Sequence, residues 1–422
     1  MVDNLEGSFA IAHNHRVYDQ HDRSPAAIDF MPTHPHQFTG ETFALRLAAF
    51  YAALFITLGV QLPLLPVWFA AKGLDPQTIG LVLAVPMMVR VFAIPAAARV
   101  ADRRDALRAV IVITAGAAVV GFAALAMTEG LLAIIVVFAL ASAAYTPVML
   151  LADAYALRGL MQRGRAYGPV RLWGSAAFIV ASFGAGYLLD AMAPRHLIWP
   201  LVGALAMTAV VAWLLAPLGP GGAAGHGPAP SAMRLLRDPG FLAVAGAAGL
   251  IQASHAVYYG FSTIDWQAAG FDGVAIGALW ALGVVAEIAL FAVSAHLPPA
   301  ITPTALLVIG AAGAVIRWTA MAFSPPAAVL PALQCLHALS FGATHLGTLG
   351  FVVRVAPAGL GATAQGYLAV ALGLTMAVAM GFSGFIYGRY GALAYAAMAL
   401  AASAGGLLAL AAHRIVRTSA SR

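Results

Sequence analysis

The sequence predicts an all-α fold: a polytopic membrane protein with twelve transmembrane helices in two six-helix repeats. Three observations carry this. The 422-residue chain is 62% hydrophobic and only 9% charged, whereas a soluble domain carries roughly 25% charged residues. Charge-free runs recur along it, among them 47–71, 109–128, 130–152, 239–264 and 390–413, and a helix needs about 20 mostly apolar residues to cross a bilayer. A turn sequence also returns at a fixed offset. Residues 68–84, WFAAKGLDPQTIGLVLA, align with 265–281, DWQAAGFDGVAIGALWA, so that Ala71, Gly73, Asp75, Ile79, Gly80 and Ala84 recur 197 residues later as Ala268, Gly270, Asp272, Ile276, Gly277 and Ala281. An outer-membrane barrel would instead show segments of about 10 residues alternating in polarity, and none is visible.

The elements follow in order. Residues 1–42 are polar, contain five histidines (His13, His15, His21, His34, His36) and lack the apolar core of a signal peptide. They predict a disordered cytoplasmic tail; a metal-binding histidine tract is the alternative. The first half, 43–216, divides into spans at 43–71, 76–98, 107–127, 130–156, 166–189 and 196–216, with a turn from Gly73 to Pro76. Residues 217–238, PLGPGGAAGHGPAPSAMRLLRD, have the Gly/Pro/Ala composition of a flexible cytoplasmic linker. The second half, 239–413, divides at 239–268, 273–295, 302–322, 327–353, 360–387 and 391–413, with joints at Pro298-Pro299, Pro325-Pro326 and Pro357 to Gly361. A short cytoplasmic tail, 414–422, remains.

Positive charge fixes the expected orientation. With the amino terminus cytoplasmic, the loops on that side carry Arg99, Arg103, Arg104, Arg108, Arg158, Arg163, Arg165, Arg234, Arg237 and Arg354, and the opposite loops only Lys72, Arg195 and Arg389. Both termini then lie inside. The net charge of +6 reports topology and contact with anionic lipid, not nucleic acid. Cys335 is the only cysteine, so there is no internal disulfide and no cysteine metal cluster. The sole lysine, Lys72, follows Ala71, which leaves no phosphate-binding G-x-x-x-x-G-K loop. H-E-x-x-H and G-x-S-x-G motifs are absent. No enzyme, cofactor or metal site is expected.

The loop at 98–108, ARVADRRDALR, resembles the signature loop of the major facilitator superfamily. Asp102 and Arg103 match its Asp-Arg pair, Arg108 serves as the late base, and Ala98 departs from its glycine. RLWGSAAF at 171–178, SHAVYYGFSTIDW at 254–266, IGALWALGVVAEI at 276–288, LQCLHALSFGATHLG at 333–347 and ATAQGY at 362–367 resemble the subfamily of proton-coupled phenylpropionate carriers. The likeness runs from about residue 43 to 413. It implies twelve helices, a central cavity lined mainly by the first and fourth helices of each half, and proton-driven uptake of a small organic acid at a bacterial inner membrane.

Ionisable groups at membrane depth are functional candidates with partners to be named. Glu287 is the expected proton carrier, because desolvation disfavours the charged form of a carboxyl group; its partner is His345, at a similar depth, or Arg90, its repeat equivalent (90 + 197 = 287). A static hydrogen bond between two helices is the competing reading. Asp153 is expected to pair with Arg171, or with Arg103 or Arg104, as a cytoplasmic latch, and Asp102-Arg103 to govern conformational exchange. Asp265 and Arg317, each about one turn from the outer face, predict a structural ion pair. Gln252, His255, Tyr259 and Ser262 fall on one face of the seventh helix, and Gln334, His337, Phe341 and His345 on one face of the tenth. With Tyr51 and Gln61 of the first helix and Tyr145 and Met149 of the fourth, they are the candidate cavity lining for a flat organic molecule. The expected function is a monomeric secondary transporter, a proton symporter of a small organic acid, aromatic acids included. An efflux carrier for amphipathic compounds and a non-transporting membrane receptor are the alternatives.

Overall fold

The structure, a computed structural model, describes residues 40–219, 233–298, 300–355 and 360–420. Among these there is no β-strand. The helices are α1 (Gly40–Ala71), α2 (Pro76–Arg103), α3 (Leu107–Met127), α4 (Leu131–Met161), α5 (Tyr167–Ala191) and α6 (Ile198–Trp213), then α7 (Pro239–Ala268), α8 (Gly273–Val293), α9 (Pro303–Ala322), α10 (Ala327–Arg354), α11 (Gly361–Tyr390) and α12 (Ala394–Ala420). Among the described residues eleven stretches are long and apolar enough to cross a bilayer: α6 qualifies together with the turn before it, as Pro194–Trp213, and α11 and α12 form one continuous apolar stretch, Thr363–Arg417. A one-turn helix, Met233–Arg237, precedes α7. The expected tail over 1–39 and the linker residues 220–232 lie outside the described residues.

Several helices overrun the expected spans. α1 starts at Gly40 with Glu41 in its first turn, α4 runs to Met161, and α12 runs to Ala420, through most of the expected tail. The reason is that apolar runs mark what lies in hydrocarbon, whereas backbone hydrogen bonding continues into the interface wherever charged side chains can reach water. Most of the 98–108 segment is accordingly the last turns of α2. Only Arg104 to Ala106 leave the helix, with Asp105 at φ +45°.

The repeated turn has the same geometry twice. Gly73 and Gly270 sit at φ +82° and +85°, where a side chain would be strained. Asp75 accepts a hydrogen bond from the Thr78 N–H, and Asp272 from the Ala275 N–H, each at 2.7 Å. These are N-caps in extended backbone, each answering one of the orphan donors that open α2 and α8. The Thr78 N–H holds the Asp75 carboxyl below its ordinary range.

α1 packs on α5 and α6, and α3 on α4 and α6; α12 packs on α9 and α7, and α7 on α11. The two groups meet along α5 with α8, α2 with α11, and α1 with α7. Their closest approaches use small residues at the end of the bundle opposite the termini. A Cβ on Gly80 would stand 2.7 Å from the Gly384 nitrogen, and one on Gly277 would stand 2.5 Å from the Ser182 carbonyl oxygen. At the termini end the facing segments are open: Arg99, Asp102, Arg103, Gly168 and Leu172 are near or at the surface.

Candidate functional site

Two interruptions of helix geometry place the polar side chains. α7 breaks at Ser254-His255. α10 breaks after Cys335 and runs as a π-helix over Ala338–Ala343. In a regular helix, residues four apart drift 40° past a full turn; the wider π turn takes up that drift. His337, Phe341 and His345 therefore stack in a column, with centroids 5.2 and 6.1 Å apart and planes within 14° and 10°.

A hydrogen-bonded line crosses the second group of helices. Arg317, fully buried on α9, donates through Nη2 to Gln334 Oε1 at 2.5 Å and through Nη1 to His337 Nδ1 at 3.0 Å. Its guanidinium also lies 4.5 Å from the ring centroids of Tyr258 and Trp318. Because Arg317 can only donate, His337 Nδ1 is an acceptor and its proton resides on Nε2. That atom faces Glu287 Oε2 at 3.6 Å. On the other side, Ser340 Oγ lies 3.5 Å from Arg317 Nη1 and 3.1 Å from His255 Nε2, while His255 Nδ1 donates to the carbonyls of Ile251 and Gln252. Three helices, α7, α9 and α10, are thus tied by one hydrogen-bonded chain, and the Glu287 carboxyl of α8 stands 3.6 Å from its end.

This geometry corrects three expectations. Glu287 is not partnered by His345. Gly283 and Glu287 share a face of α8 that packs on His337 and Gly342, and His345 falls one turn further on, beside Phe291. Equal distance from two helix ends is not equal register once α10 contains a π turn. Nor does Glu287 meet Arg90, whose Nη1 lies 3.9 Å from Met87 Sδ and whose stem packs near Gly373 of α11. Arg90 thus faces α11 of the other group, whereas Glu287 faces α10 of its own. Finally, Asp265 and Arg317 do not pair. Gly310, Gly313 and Arg317 lie on one face of α9 that packs on α10, whereas Asp265 accepts from the Tyr387 hydroxyl at 3.1 Å. Similar depth had left the direction of the side chains undetermined.

In the first group, Asp153 Oδ1 accepts from the hydroxyls of Tyr51 at 2.6 Å and Tyr167 at 2.8 Å, and stands 3.9 Å from Arg171 Nε. Arg171 is only partly buried, with its guanidinium 4.1 Å from the Phe55 ring centroid and 5.2 Å from that of Tyr51. Asp153 and Arg171 belong to one group of helices, so their contact does not itself bridge the two groups. Arg171 nevertheless stands level with Glu287 of the second group: α5 and α8 run antiparallel from the contact of Ser182 with Gly277, and Arg171 lies eleven residues before Ser182 (182 − 171) as Glu287 lies ten after Gly277 (287 − 277). Tyr145 packs edge-on to Phe122, and Met149 packs beside the cluster around Tyr51 and Tyr155. Gln61 Oε1 is buried without a hydrogen-bond partner. Tyr259 is sandwiched between His255 and Trp280, with planes within 24° and 16°. Asp102 and Arg103 are exposed, and the carboxylate of their loop that forms an ion pair is Asp105, with Arg158 at 2.5 Å.

Sequence reasoning missed Tyr167, Ser340 and Phe55. Tyr167 lies one helical turn before Arg171 and Ser340 three residues after His337, spacings that put each on its neighbour's face; Phe55 carries no polar signal at all.

No group of three or more His, Cys, Asp or Glu able to hold a metal occurs among the described residues. Comparison with known proteins agrees with a carrier. The sequence profile described as the MFS_1 like family matches residues 44–397. The chain is 34% identical over 365 residues to a probable 3-phenylpropionic acid transporter of Escherichia coli (strain K12), covering 84% of this chain and 94% of that protein. It is 29% identical over 333 residues to a maltose permease of Geobacillus stearothermophilus, covering 77% and 83%. Among solved structures, the nucleoside transporter NupG superposes with a TM-score of 0.75 at 18% identity, covering 88% of this chain and 99% of that one. These relatives are transporters, not enzymes, and the chain belongs to the MFS_1 like family of the major facilitator superfamily, as a multi-pass membrane transporter.

Proposed function

We propose that the protein is a secondary active symporter that takes up a small organic acid, an aromatic carboxylate, together with a proton across a bacterial inner membrane by alternating access. The observation that carries this reading is the antiparallel packing of α5 on α8, which brings Arg171 level with Glu287. A substrate carboxylate bound by Arg171 competes with Glu287 for the same positive charge. Anion binding at Arg171 therefore favours proton uptake at Glu287, and by linkage the proton favours the anion. His337 Nε2–H, held in place by Arg317, steadies the Glu287 carboxylate when it is empty. Phe55 and His345 supply flat faces suited to an aromatic ring, beside Tyr259 and Phe341, whose own faces are stacked on neighbouring rings, and the similarity to a probable 3-phenylpropionic acid transporter supports that substrate class. Both halves of the carrier lie in one chain, which fits a monomer, and the arginine-rich loops support a cytoplasmic position for both termini.

The test is transport into proteoliposomes of a panel of radiolabelled acids, including 3-phenylpropionate, with an imposed pH gradient. Accumulation driven by an acidic exterior is expected. Glu287→Gln keeps the shape but cannot cycle a proton, so it should exchange substrate down its gradient and fail to concentrate it. Accumulation by that variant at the unmodified level would remove Glu287 from the coupling. Transport of a neutral nucleoside or sugar, with no acid carried, would overturn the substrate class.

A further inference from the structure

The two seams between the helix groups are built from matched positions. On α5, Ser182, Gly186 and Asp190 correspond to Met380, Gly384 and Gly388 on α11, at one offset of 198 (380 − 182, 384 − 186, 388 − 190). On α8, Gly273 and Gly277 correspond to Pro76 and Gly80 on α2, at 197 (273 − 76, 277 − 80). The contacts obey this matching. Gly277 meets Ser182 and Gly273 meets Gly186, as Gly80 meets Met380 and Pro76 meets Gly384. The last pair in each seam differs. In one, the Gly273 N–H donates to both oxygens of Asp190, each at 2.9 Å. In the other, Pro76 has no N–H to give and Gly388 has no side chain to receive it; the Gly388 and Pro76 positions are merely in van der Waals reach. Donor and acceptor are lost together.

We propose that Asp190 is the latch of the transport cycle: a positioning residue that holds the carrier closed at the end opposite its termini by binding the first amide of α8 from across the seam. Three features support this. Asp190 and Gly273 belong to different helix groups, so their contact must break when that end opens. The amide is the first of a 21-residue helix, where the macrodipole favours a negative charge. The cap of the same helix is already filled from its own side by Asp272, which leaves Asp190 no role in starting α8. Among the described residues the α2–α11 seam, with glycine and proline in the matched places, shows no hydrogen bond or ion pair across it. The latch therefore acts on one seam only. It rests on the fold and is independent of the substrate.

The test uses the full chain with Cys335→Ser and spin labels on cysteines introduced at Glu129 and Ala327, two exposed positions at the latched end in different helix groups. Distances are measured in liposomes without substrate. Asp190→Gly, which copies the other seam, should raise the ratio of open to closed distances about fivefold, the shift for a net hydrogen bond of about 1 kcal/mol. Asp190→Asn, nearly isosteric and still able to accept one bond, should fall between the two. Asp272→Ala, which removes the cap and weakens the helix start alone, should leave the distances unchanged. Unchanged distances in both Asp190 variants would refute the latch. So would an equal shift in Asp272→Ala, because the effect would then come from fraying of α8.

Discussion

Replacing His337 in two ways separates what Arg317 needs from what Glu287 needs. An asparagine places its carbonyl oxygen near the position of Nδ1, so His337→Asn keeps an acceptor for Arg317, now 3.0 Å from Nη1, and removes the Nε2–H that faces Glu287 at 3.6 Å. His337→Leu removes both. Each variant loses the stack on Phe341, worth about 0.5–1.5 kcal/mol, so that loss cancels in the comparison. The difference between them is the bond to a buried guanidinium, about 1.5–3 kcal/mol. The 3.6 Å approach is too long for a strong hydrogen bond, so the asparagine variant should lose little beyond the stack. For a folding unit of the size of one half, roughly 2–4 °C accompanies each kcal/mol. His337→Leu should therefore melt about 3–12 °C below His337→Asn in a thermal scan of detergent-purified protein. In proteoliposomes His337→Asn should still exchange substrate but concentrate it poorly under a pH gradient. Equal melting of the two variants would show that the Arg317 contact contributes nothing. Full accumulation by His337→Asn would show that the Nε2–H has no part in coupling.

Arg171→Gln should weaken equilibrium binding of an aromatic acid about 10- to 100-fold, the loss of a charge-assisted contact, while a melting scan stays near the unmodified value, because Asp153 keeps Tyr51 and Tyr167. Binding within twofold of normal would place the carboxylate elsewhere. Asp102→Asn should slow transport and leave binding affinity nearly unchanged, since Asp102 is exposed at the end of α2; a large loss of affinity at normal turnover would contradict a gating role. With Cys335 replaced, cysteines introduced at 222 and 297 should react only with reagent applied from the cytoplasmic side, and labelling of either from outside would reverse the orientation.

What the sequence determined by itself was whatever depends on neighbours along the chain. Runs of about 20 apolar residues gave the crossings, because a bilayer admits a backbone only when its hydrogen bonds are closed locally. Gly73-x-Asp75 and Gly270-x-Asp272 gave the two capped turns, because a positive φ and an N-cap are decided within four residues. The isolation of Glu287 in an oily run marked it as a site candidate for the same local reason. Depth could be counted, but direction could not. Whether Arg317 turns to Asp265 or to His337 depends on which face of α9 packs on α10, although the spacing of Gly310, Gly313 and Arg317 held that information. The choice of His337 over His345 for Glu287 depends on a π turn, a shift in register that no period in the sequence announces. Asp190 reaches Gly273 across 83 residues of separation, and its meaning appears only beside the matched seam that lacks it. Tertiary structure decided these points because a polar group in a membrane must find its partner in three dimensions, and the partner is set by how helix faces meet.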